Sequence, residues 1–266
     1  MFNFSTLAGN VKETLSPRNV AQVFGVLKVG ISETISPKRN WQEFRSLTGR
    51  ENTLLALMII AQAIAFIFGK DYSLLGILGL FTGVTTIINL ILVDRGLLTN
   101  YLWGFVGSAL WLIVAIHNRL IGDVTSQTYY VIMQFIGIYV WFNSMNSSET
   151  KSVKGKDLTP SGATLLIITT IIAYALSVAL AKSLNGNLVY LDASLVPLAI
   201  IGQALMTYGF KSQWIIWILL DVINIIIWSI RFHDGGTGAL SMLVLQIMML
   251  INAIYGTYVW YRQNAN

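Results

Sequence analysis

The feature that most constrains this chain is a series of eight apolar segments, each close to 20 residues long and separated by short polar connectors. A helix needs about 20 mainly apolar residues to cross the hydrocarbon core of a bilayer. Such a segment must also satisfy its own backbone hydrogen bonds there, which an α-helix does. The segments are 53–69, 74–94, 98–117, 126–145, 162–182, 188–209, 213–231 and 238–261. The sequence therefore predicts an all-α membrane protein with eight transmembrane helices.

The composition excludes several classes of function. Only 11% of the residues are charged, whereas a soluble domain has about 25%. The chain has no cysteine and two widely separated histidines, and it shows no nucleotide-binding loop or catalytic triad. We therefore expect no enzyme activity, no metal site and no cofactor. The net charge of +5 lies mainly outside the apolar segments, so we interpret it as an orientation signal and not as nucleic-acid binding.

The connectors differ in their basic residues. With eight spans, thirteen of the 17 Lys and Arg residues fall on the side of the two termini. The other side carries Lys70, Arg119, Lys182 and Arg231. Because cytoplasmic loops are enriched in Lys and Arg, both termini are predicted to be cytoplasmic.

The N-terminal region, residues 1–52, lacks the apolar core of a signal peptide. It contains two similar stretches, "ETLSPRN" at 13–19 and "ETISPKRN" at 33–40. In each, Ser-Pro suits a helix N-cap followed by proline in the first turn. We expect amphipathic helices on the cytoplasmic leaflet, with a partly ordered basic tail as the alternative. The first span, 53–69, is expected to be peripheral.

An internal repeat is visible in the last helix of each half. The sequences "MQFIGIYVWF" (133–142) and "NAIYGTYVWY" (252–261) share Gly, Tyr, Val and Trp at an offset of 119. An offset of 114 upstream gives two further matches, Asn89 with Gln203 and Trp103 with Trp217. The matches occur in the same order in both halves, as a duplicated unit requires.

The repeat unit consists of three helices. Residues 74–145 form the first unit, 188–261 form the second, and the helix at 162–182 links them. Corresponding helices are four spans apart, so the two units are parallel. This 3+1+3 plan, with a pseudo-twofold axis along the membrane normal, is a known transporter architecture.

The seventh span carries a polar stripe in "QWIIWILLDVIN" (213–224). Trp214, Trp217, Asp221 and Asn224 are spaced 3, 4 and 3 residues apart and share one helix face. A carboxylate at mid-helix costs about 2.5–3.5 kcal/mol, so Asp221 is a substrate contact, a proton carrier or a structural acceptor. Trp217 lies deep enough to stack on an aromatic or cationic ring. Trp214 either lines the path or anchors the helix at the interface.

Amide side chains recur in both halves. Each is either interhelical glue or part of a central cavity. Amides and indoles with little charge suit a neutral, hydroxyl-rich or amide-bearing solute rather than a phosphorylated or strongly anionic one. The candidate substrate-binding residues are Trp217, Asp221, Asn224, Gln134, Gln127, Gln246, Asn89, Gln203, Trp214 and Asn252.

These residues resemble a known family. "NYLWGFVG" (100–107), "QWIIWILLDVIN" and the paired "GIYVW" and "NAIYGTYVW" are similar to the PnuC family of bacterial nicotinamide riboside transporters, from about residue 72 onward. The family shares the fold of the SWEET sugar transporters. Asp221 stands where the family usually has Asn, and Gln134 stands where relatives have Asn.

The resemblance implies a function. It implies a homotrimer in the bacterial inner membrane that carries out facilitated diffusion of nicotinamide riboside, by alternating access, with phosphorylation in the cytoplasm trapping the product. Trp217 would stack on the cationic nicotinamide ring, and Asp221, Asn224 and the glutamines would bind the ribose. Three alternatives stay open: another vitamin such as thiamine or riboflavin, a proton-coupled symporter with Asp221 as carrier, and a non-transporting receptor or scaffold.

Overall fold

The computed structural model describes residues 17–70, 72–117, 121–183, 189–234 and 239–262. In these residues every regular element is a helix, apart from one isolated β-bridge between Lys156 and Phe210. The helices are α1 Pro17–Ile35, α2 Pro37–Arg45, α3 Gly49–Gly69, α4 Leu74–Asp94, α5 Asn100–His117, α6 Ile121–Ser148, α7 Pro160–Ser183, α8 Val189–Thr207, α9 Gln213–His233 and α10 Ala239–Arg262.

The eight predicted spans coincide with the helices α3 to α10. Over the described residues six of them, α3, α4 and α7 to α10, are long and apolar enough to cross a membrane. Helix α5 is apolar over a shorter stretch, Asn100–Val114, and α6 is 28 residues long but carries many amide and hydroxyl side chains. The prediction of an all-α membrane protein with several spans is confirmed, and the count of eight stays a prediction.

Helix α3 begins four residues before the predicted span because of its cap. The Thr48 side chain accepts from the Glu51 backbone N–H, and the Glu51 carboxylate accepts from the Thr48 N–H at 2.7 Å. This capping box satisfies two backbone donors that the helix end would otherwise leave unpaired. The Ser-Pro signal was also correct at Ser36, which caps α2 with Pro37 in the first turn. Ser16 lies outside the described residues.

Six helices pack into a closed ring. Helix α4 contacts α5, α5 contacts α6, α6 contacts α8, α8 contacts α9, α9 contacts α10, and α10 returns to α4. Helix α7 packs against α8, α3 packs outside α4 and α10, and α1 packs against α6 and α5. The ring has two halves, α4–α6 and α8–α10, and each half ends against the first helix of the other.

Both halves make the same turn between their first and second helices. Gly96 and Gly209 have φ values of 64° and 72°, which glycine adopts without the steric cost that a Cβ would add. The Gly96 N–H donates to the Val93 carbonyl, and the Gly209 N–H donates to the Met206 carbonyl, each at 2.9 Å. The two turns are 113 residues apart.

The register between the halves differs by one residue from the predicted offset of 114. Further backbone bonds repeat at 113, including Tyr101 to Leu98 and Trp214 to Lys211. Asn89 therefore corresponds to Gly202 and not to Gln203, and Trp217 corresponds to Gly104 and not to Trp103. Two apolar helix sequences can be aligned almost equally well at neighbouring registers. A left-handed glycine turn fixes the register because it occurs at a single position in each half.

Two tryptophans join the halves to each other. The Trp141 indole N–H on α6 donates to the Met206 and Thr207 carbonyls, at 3.3 and 3.1 Å, at the end of α8. The Trp260 indole N–H on α10 donates to the Val93 carbonyl at 3.1 Å, in the last turn of α4. Both rings are fully buried, with centroids 6.4 Å apart. The YVW motif of the sequence is therefore the point at which the last helix of one half is fastened to the first helix of the other.

A segment between α6 and α7, residues 150–157, crosses this end of the ring; we call it the strap. The Val153 N–H donates to the Gly96 carbonyl and the Lys156 N–H donates to the Gly209 carbonyl, each at 2.9 Å. The Lys211 ammonium bonds both carboxylate oxygens of Asp157, at 2.9 and 3.0 Å. The strap thus bonds the equivalent turn of each half.

The N-terminal helices pack on the bundle. Glu43 of α2 accepts from the backbone N–H of Thr99 at 2.9 Å and from its hydroxyl at 2.5 Å, at the start of α5. Trp103 donates its indole N–H to Asn40 at 3.2 Å, and Gly30 of α1 lies against Ile138 of α6. Outward-facing apolar side chains, such as Phe24, agree with the predicted amphipathic character. Residues 1–16 of this region lie outside the described residues.

Candidate functional site

The polar stripe of α9 separates into two depths. Trp214, in the first turn, is 1% exposed and packs edge-on against Trp260 with ring centroids 6.0 Å apart. It is part of the aromatic core at the strap end and not an exposed residue that would anchor the helix at the interface. Asp221 lies two turns further along, about 10 Å away at 1.5 Å per residue. Trp217 lies between them and is half-buried.

Trp217 packs against a glycine on the neighbouring helix. A Cβ at Gly202 of α8 would lie 3.2 Å from three carbons of the indole ring. The same apolar cluster includes Leu198 and Leu220 together with Tyr130 from α6. The indole is therefore held between α8 and α9, with a second aromatic residue from the other half close by.

Asp221 is a buried carboxyl group without an ion pair among the described residues. Its side chain is 1% exposed, and its Oδ1 atom has no hydrogen-bond partner among the described residues. No described Lys, Arg or His forms an ion pair with it. A buried carboxylate without a partner is strongly unfavourable, so this position requires a proton, a water or a ligand donor.

Asn224, one turn beyond Asp221, uses its amide nitrogen within α9. The Nδ2 group donates to the Leu220 carbonyl at 3.2 Å. This bond orients the side chain and leaves its carbonyl oxygen as an acceptor. Asn224 and Asp221 together offer acceptors of the type that hydroxyl groups bind.

In the first half, Asn89 and Gln134 meet at Gly104. A Cβ at Gly104 would lie 2.8 Å from both the Asn89 nitrogen and the Gln134 Oε1 atom. Asn89 also donates to the Asn100 carbonyl at 2.8 Å, so it joins α4 to α5. Gln134 is buried, and its Oε1 atom has no partner among the described residues. Asn89 is thus interhelical glue, while Gln134 offers a free acceptor.

The remaining amides differ in their surroundings. Gln203 and Gln246 are buried, with Nε2 of the first and Oε1 of the second unpartnered among the described residues. Gln127 is half-buried on α6. Asn252 is fully buried and donates to Asp94 at 3.3 Å, so it belongs to the strap end and not to the level of Asp221.

Sequence reasoning missed two buried polar residues at the strap end. Asp94 is fully buried, and its Oδ2 atom has no described partner. Gln213 is also fully buried with both amide atoms unpartnered among the described residues. Asp94 is the last residue of the predicted span 74–94, and Gln213 lies off the Trp214 stripe, so neither was a candidate. A carboxylate that directly ends an apolar run is the signal that marks Asp94.

The charges inside the ring are acidic. Among the described side chains of the six ring helices, the buried charged ones are Asp94 and Asp221. Lys211 is buried outside these helices and is paired with Asp157. Such an interior suits a solute with a flat or cationic ring and hydroxyl groups, and it repels a phosphate.

Comparison with known proteins identifies the family. Residues 76–262 match the family model described as nicotinamide mononucleotide transporter. The chain belongs to the PnuC family. The nicotinamide riboside transporter PnuC of Haemophilus influenzae is 30% identical over 208 residues, which cover 77% of this chain and 87% of that protein. That of Neisseria mucosa is 28% identical over 221 residues, or 82% of each chain.

A solved structure shares the PnuC fold. The crystal structure of the vitamin B3 transporter PnuC matches with a TM-score of 0.72 and 27% identity, over 85% of this chain and 97% of that chain. The resemblance read from "NYLWGFVG" and the paired YVW motifs is confirmed. The chain is therefore a multi-pass membrane protein of a transporter family.

Proposed function

We propose that this chain carries nicotinamide riboside across the bacterial inner membrane by facilitated diffusion. The observation that carries the proposal is the pair on α9, a half-buried indole at Trp217 and a buried, unpaired carboxylate at Asp221. The relatives from Haemophilus influenzae and Neisseria mucosa, both named nicotinamide riboside transporters, support the same solute.

The chemistry of the ligand fits this pair. Nicotinamide riboside has a cationic aromatic ring, which an indole face attracts, and a ribose whose hydroxyls donate to a carboxylate. Trp217 would bind the ring, and Asp221 with Asn224 would bind the ribose. Gln134 and Gln203 have unpartnered amide atoms that would complement the carboxamide. Gln127 and Gln246 are further candidates, whereas Asn89, Trp214 and Asn252 act in the framework.

The nucleoside is a better substrate for this interior than its phosphate. The family description names the mononucleotide, but the buried charges described inside the ring are carboxylates. A phosphate there would meet negative charge without a basic partner. Phosphorylation in the cytoplasm would therefore trap the solute after entry.

The architecture is part of the proposal. We infer eight spans, with α4–α6 and α8–α10 as parallel repeats, α7 as the linking helix and α3 as the extra span. The closed ring, the repeated turn at Gly96 and Gly209, and the two cross-half tryptophan bonds support it. The distribution of basic residues supports cytoplasmic termini. Alternating access would move one half against the other.

We also infer a homotrimer, as the resemblance to PnuC implies. The lipid-facing surface of α7, with Leu165, Ile171 and Leu176 exposed, leaves room for lipid or a second copy. The mass of the protein in lipid nanodiscs tests this inference. A single species at the mass of one chain would refute it.

Ligand binding to the purified protein tests the function. Thermal unfolding with nicotinamide riboside, nicotinamide mononucleotide, thiamine and riboflavin should show, with the riboside alone, a saturable stabilisation that depends on Trp217. Trp217→Ala and Asp221→Asn should weaken that effect while the protein stays folded. A larger stabilisation by thiamine or riboflavin would mean that this chain transports that vitamin instead. No response to any of the four would support the scaffold alternative.

A proton-coupled symporter is the second candidate, and the unpaired carboxylate of Asp221 favours it. Uptake into vesicles with and without an imposed proton gradient separates the two mechanisms. Facilitated diffusion predicts equilibration to the same final level in both. Accumulation above that level in the gradient, lost in Asp221→Asn, would establish coupling.

A further inference from the structure

A basic cleft lies at the strap end of the ring, away from the Trp217 site. It has a volume of about 540 Å³ and opens between the start of α3, the end of α4 and the last turns of α10. Three arginines line it, one from each of these places: Arg50, Arg95 and Arg262. Tyr255 and Tyr258 of α10 complete the wall with their rings and hydroxyls.

The one carboxylate that lines the cleft is already engaged. Glu51 is buried, accepts from the Thr48 N–H at 2.7 Å and accepts from the Tyr255 hydroxyl at 3.2 Å. Its Oε1 atom is 3.7 Å from the Arg95 guanidinium, which is long for a charged hydrogen bond. With three arginines and one glutamate, the lining keeps a net positive charge. Asp94 does not line the cleft, and its carboxylate accepts from the Asn252 amide.

The arginines keep donors available. Arg95 is 34% exposed, and its Nε atom is buried without a partner among the described residues. Arg50 is exposed at the first turn of α3 and forms no ion pair in the described part of the chain. Arg262 stacks 5.5 Å over the Tyr258 ring and donates to its hydroxyl, so its guanidinium is positioned at the rim. A guanidinium fork matches two oxygens of a phosphate.

We propose that this cleft binds a phosphate group presented at the cytoplasmic face. The proposal rests on the orientation inferred under the proposed function. Two sources supply this chemistry on that side: a soluble phosphorylated nucleotide, which trapping of the transported nucleoside would produce, and the headgroup of an anionic lipid. Both would be held by Arg50, Arg95 and Arg262, with the tyrosine rings against the remainder of the molecule.

A bound phosphate would brace α3, α4 and α10 against one another. Tyr255 and Tyr258 lie on either side of Gly256, which packs against Trp214 of α9. A Cβ at Gly256 would lie 2.5 Å from the Asp94 carboxylate, at the end of α4. A ligand in the cleft would therefore tie α10 to α3 and α4. The measurable consequence is a higher unfolding temperature that saturates with ligand concentration.

The experiment uses the purified full-length protein. Thermal unfolding is measured with inorganic phosphate and with nicotinamide mononucleotide at constant ionic strength, and in nanodiscs of phosphatidylcholine with or without phosphatidylglycerol. The test variant is R50Q/R262Q, because both side chains are exposed. The matched control is R45Q/K151Q, which removes two exposed basic residues near the same end but outside the cleft.

Stabilisation of wild type and control, with at least about tenfold weaker affinity in R50Q/R262Q, is the expected result. Response to the soluble phosphates identifies a nucleotide site, and response to phosphatidylglycerol alone identifies a lipid site. An equal response of R50Q/R262Q and the control, or no response to any of the probes, overturns the proposal. Nicotinamide riboside binding is measured on the same samples, and its retention in R50Q/R262Q separates this site from the transport site.

Discussion

The two halves of the ring share a backbone framework but not their polar side chains. Each half has a left-handed glycine turn, at Gly96 and Gly209, and each contributes a buried tryptophan, Trp141 or Trp260, that bonds the first helix of the other half. These features serve the packing of one half on the other. Because both halves need them equally, they occur twice.

The proposed binding residues lie mainly in the second half. At the structural offset of 113, Trp217 corresponds to Gly104 and Asp221 corresponds to Ser108. The halves also exchange large and small residues across the same helix pair: Gly202 on α8 faces Trp217 on α9, whereas Asn89 on α4 faces Gly104 on α5. A duplicated framework can thus hold an asymmetric solute, with the aromatic contact on one side and amides on the other.

Because of the strap, replacing glycine by alanine should cost more stability in the turn at Gly96 than in the equivalent turn at Gly209. In Gly96→Ala, the new Cβ would overlap the Val153 carbonyl oxygen, which belongs to backbone and cannot turn away. In Gly209→Ala, the nearest atom is a Val153 methyl carbon at 3.2 Å. Both carry the left-handed penalty of about 1–2 kcal/mol, so Gly96→Ala should lose about 3 kcal/mol or more and Gly209→Ala about half of that.

Chemical unfolding of the two purified variants measures this difference. Equal losses would mean that the strap yields at Val153, and the two turns would then be equivalent in energy as well as in geometry.

The second prediction concerns the unequal distribution of the polar side chains. Trp217→Ala removes the indole face, and Asp221→Asn removes the charge, so each should weaken nicotinamide riboside binding by about tenfold, which is about 1.4 kcal/mol. Ser108→Ala, at the equivalent position of the first half, should change it by less than about twofold. Binding by calorimetry measures all three. A loss as large in Ser108→Ala would place the ribose in the first half.

The third prediction tests the shared framework. Trp141→Phe and Trp260→Phe each keep an aromatic ring and remove the indole N–H bond to the helix end of the other half, which costs about 0.5–1.5 kcal/mol. Because the bonds are equivalent, the two losses in unfolding free energy should agree within about 0.5 kcal/mol. A control is Trp111→Phe on α5, a partly exposed tryptophan that should change little. Clearly unequal losses would show that one junction between the halves carries more of the stability.

Local patterns in the sequence predicted the helices well. Apolar length and Ser-Pro caps are properties of neighbouring residues, so α3 to α10 and the Ser36 cap follow from them. The offset of 119 between the YVW motifs stays a prediction, which the matching indole bonds of Trp141 to Met206 and of Trp260 to Val93 support. The offset of 114 was wrong by one. Long runs of isoleucine, leucine and valine are too similar to one another to fix the alignment of the two halves.

Contacts between distant residues could not be predicted in this way. The binding of Glu43 to Thr99 and of the strap to Gly96 joins segments whose sequences contain no sign of each other. For the site, the spacing on α9 identified Asp221 as a buried carboxylate. It could not show that Trp214 packs in the core, because one helix face passes from framework to cavity along its length.

The smallest expected effect tests whether Gly202 positions Trp217. In Gly202→Ala, the added methyl carbon would lie 3.2 Å from the indole carbons, so the ring must move by a few tenths of an ångström. Because Trp217 is only half-buried, it has room to do so, and stability should change by less than about 1 kcal/mol. The displaced ring would stack less well, which should weaken riboside binding by about two- to fivefold. Gly79→Ala is the matched control, since a Cβ at Gly79 meets nothing within 4 Å.

The double variant shows how Gly202 acts. If Gly202→Ala weakens riboside binding in the wild-type protein but has no further effect in Trp217→Ala, the glycine acts through the indole. An additive loss in the double variant would instead mean that Gly202 touches the path itself.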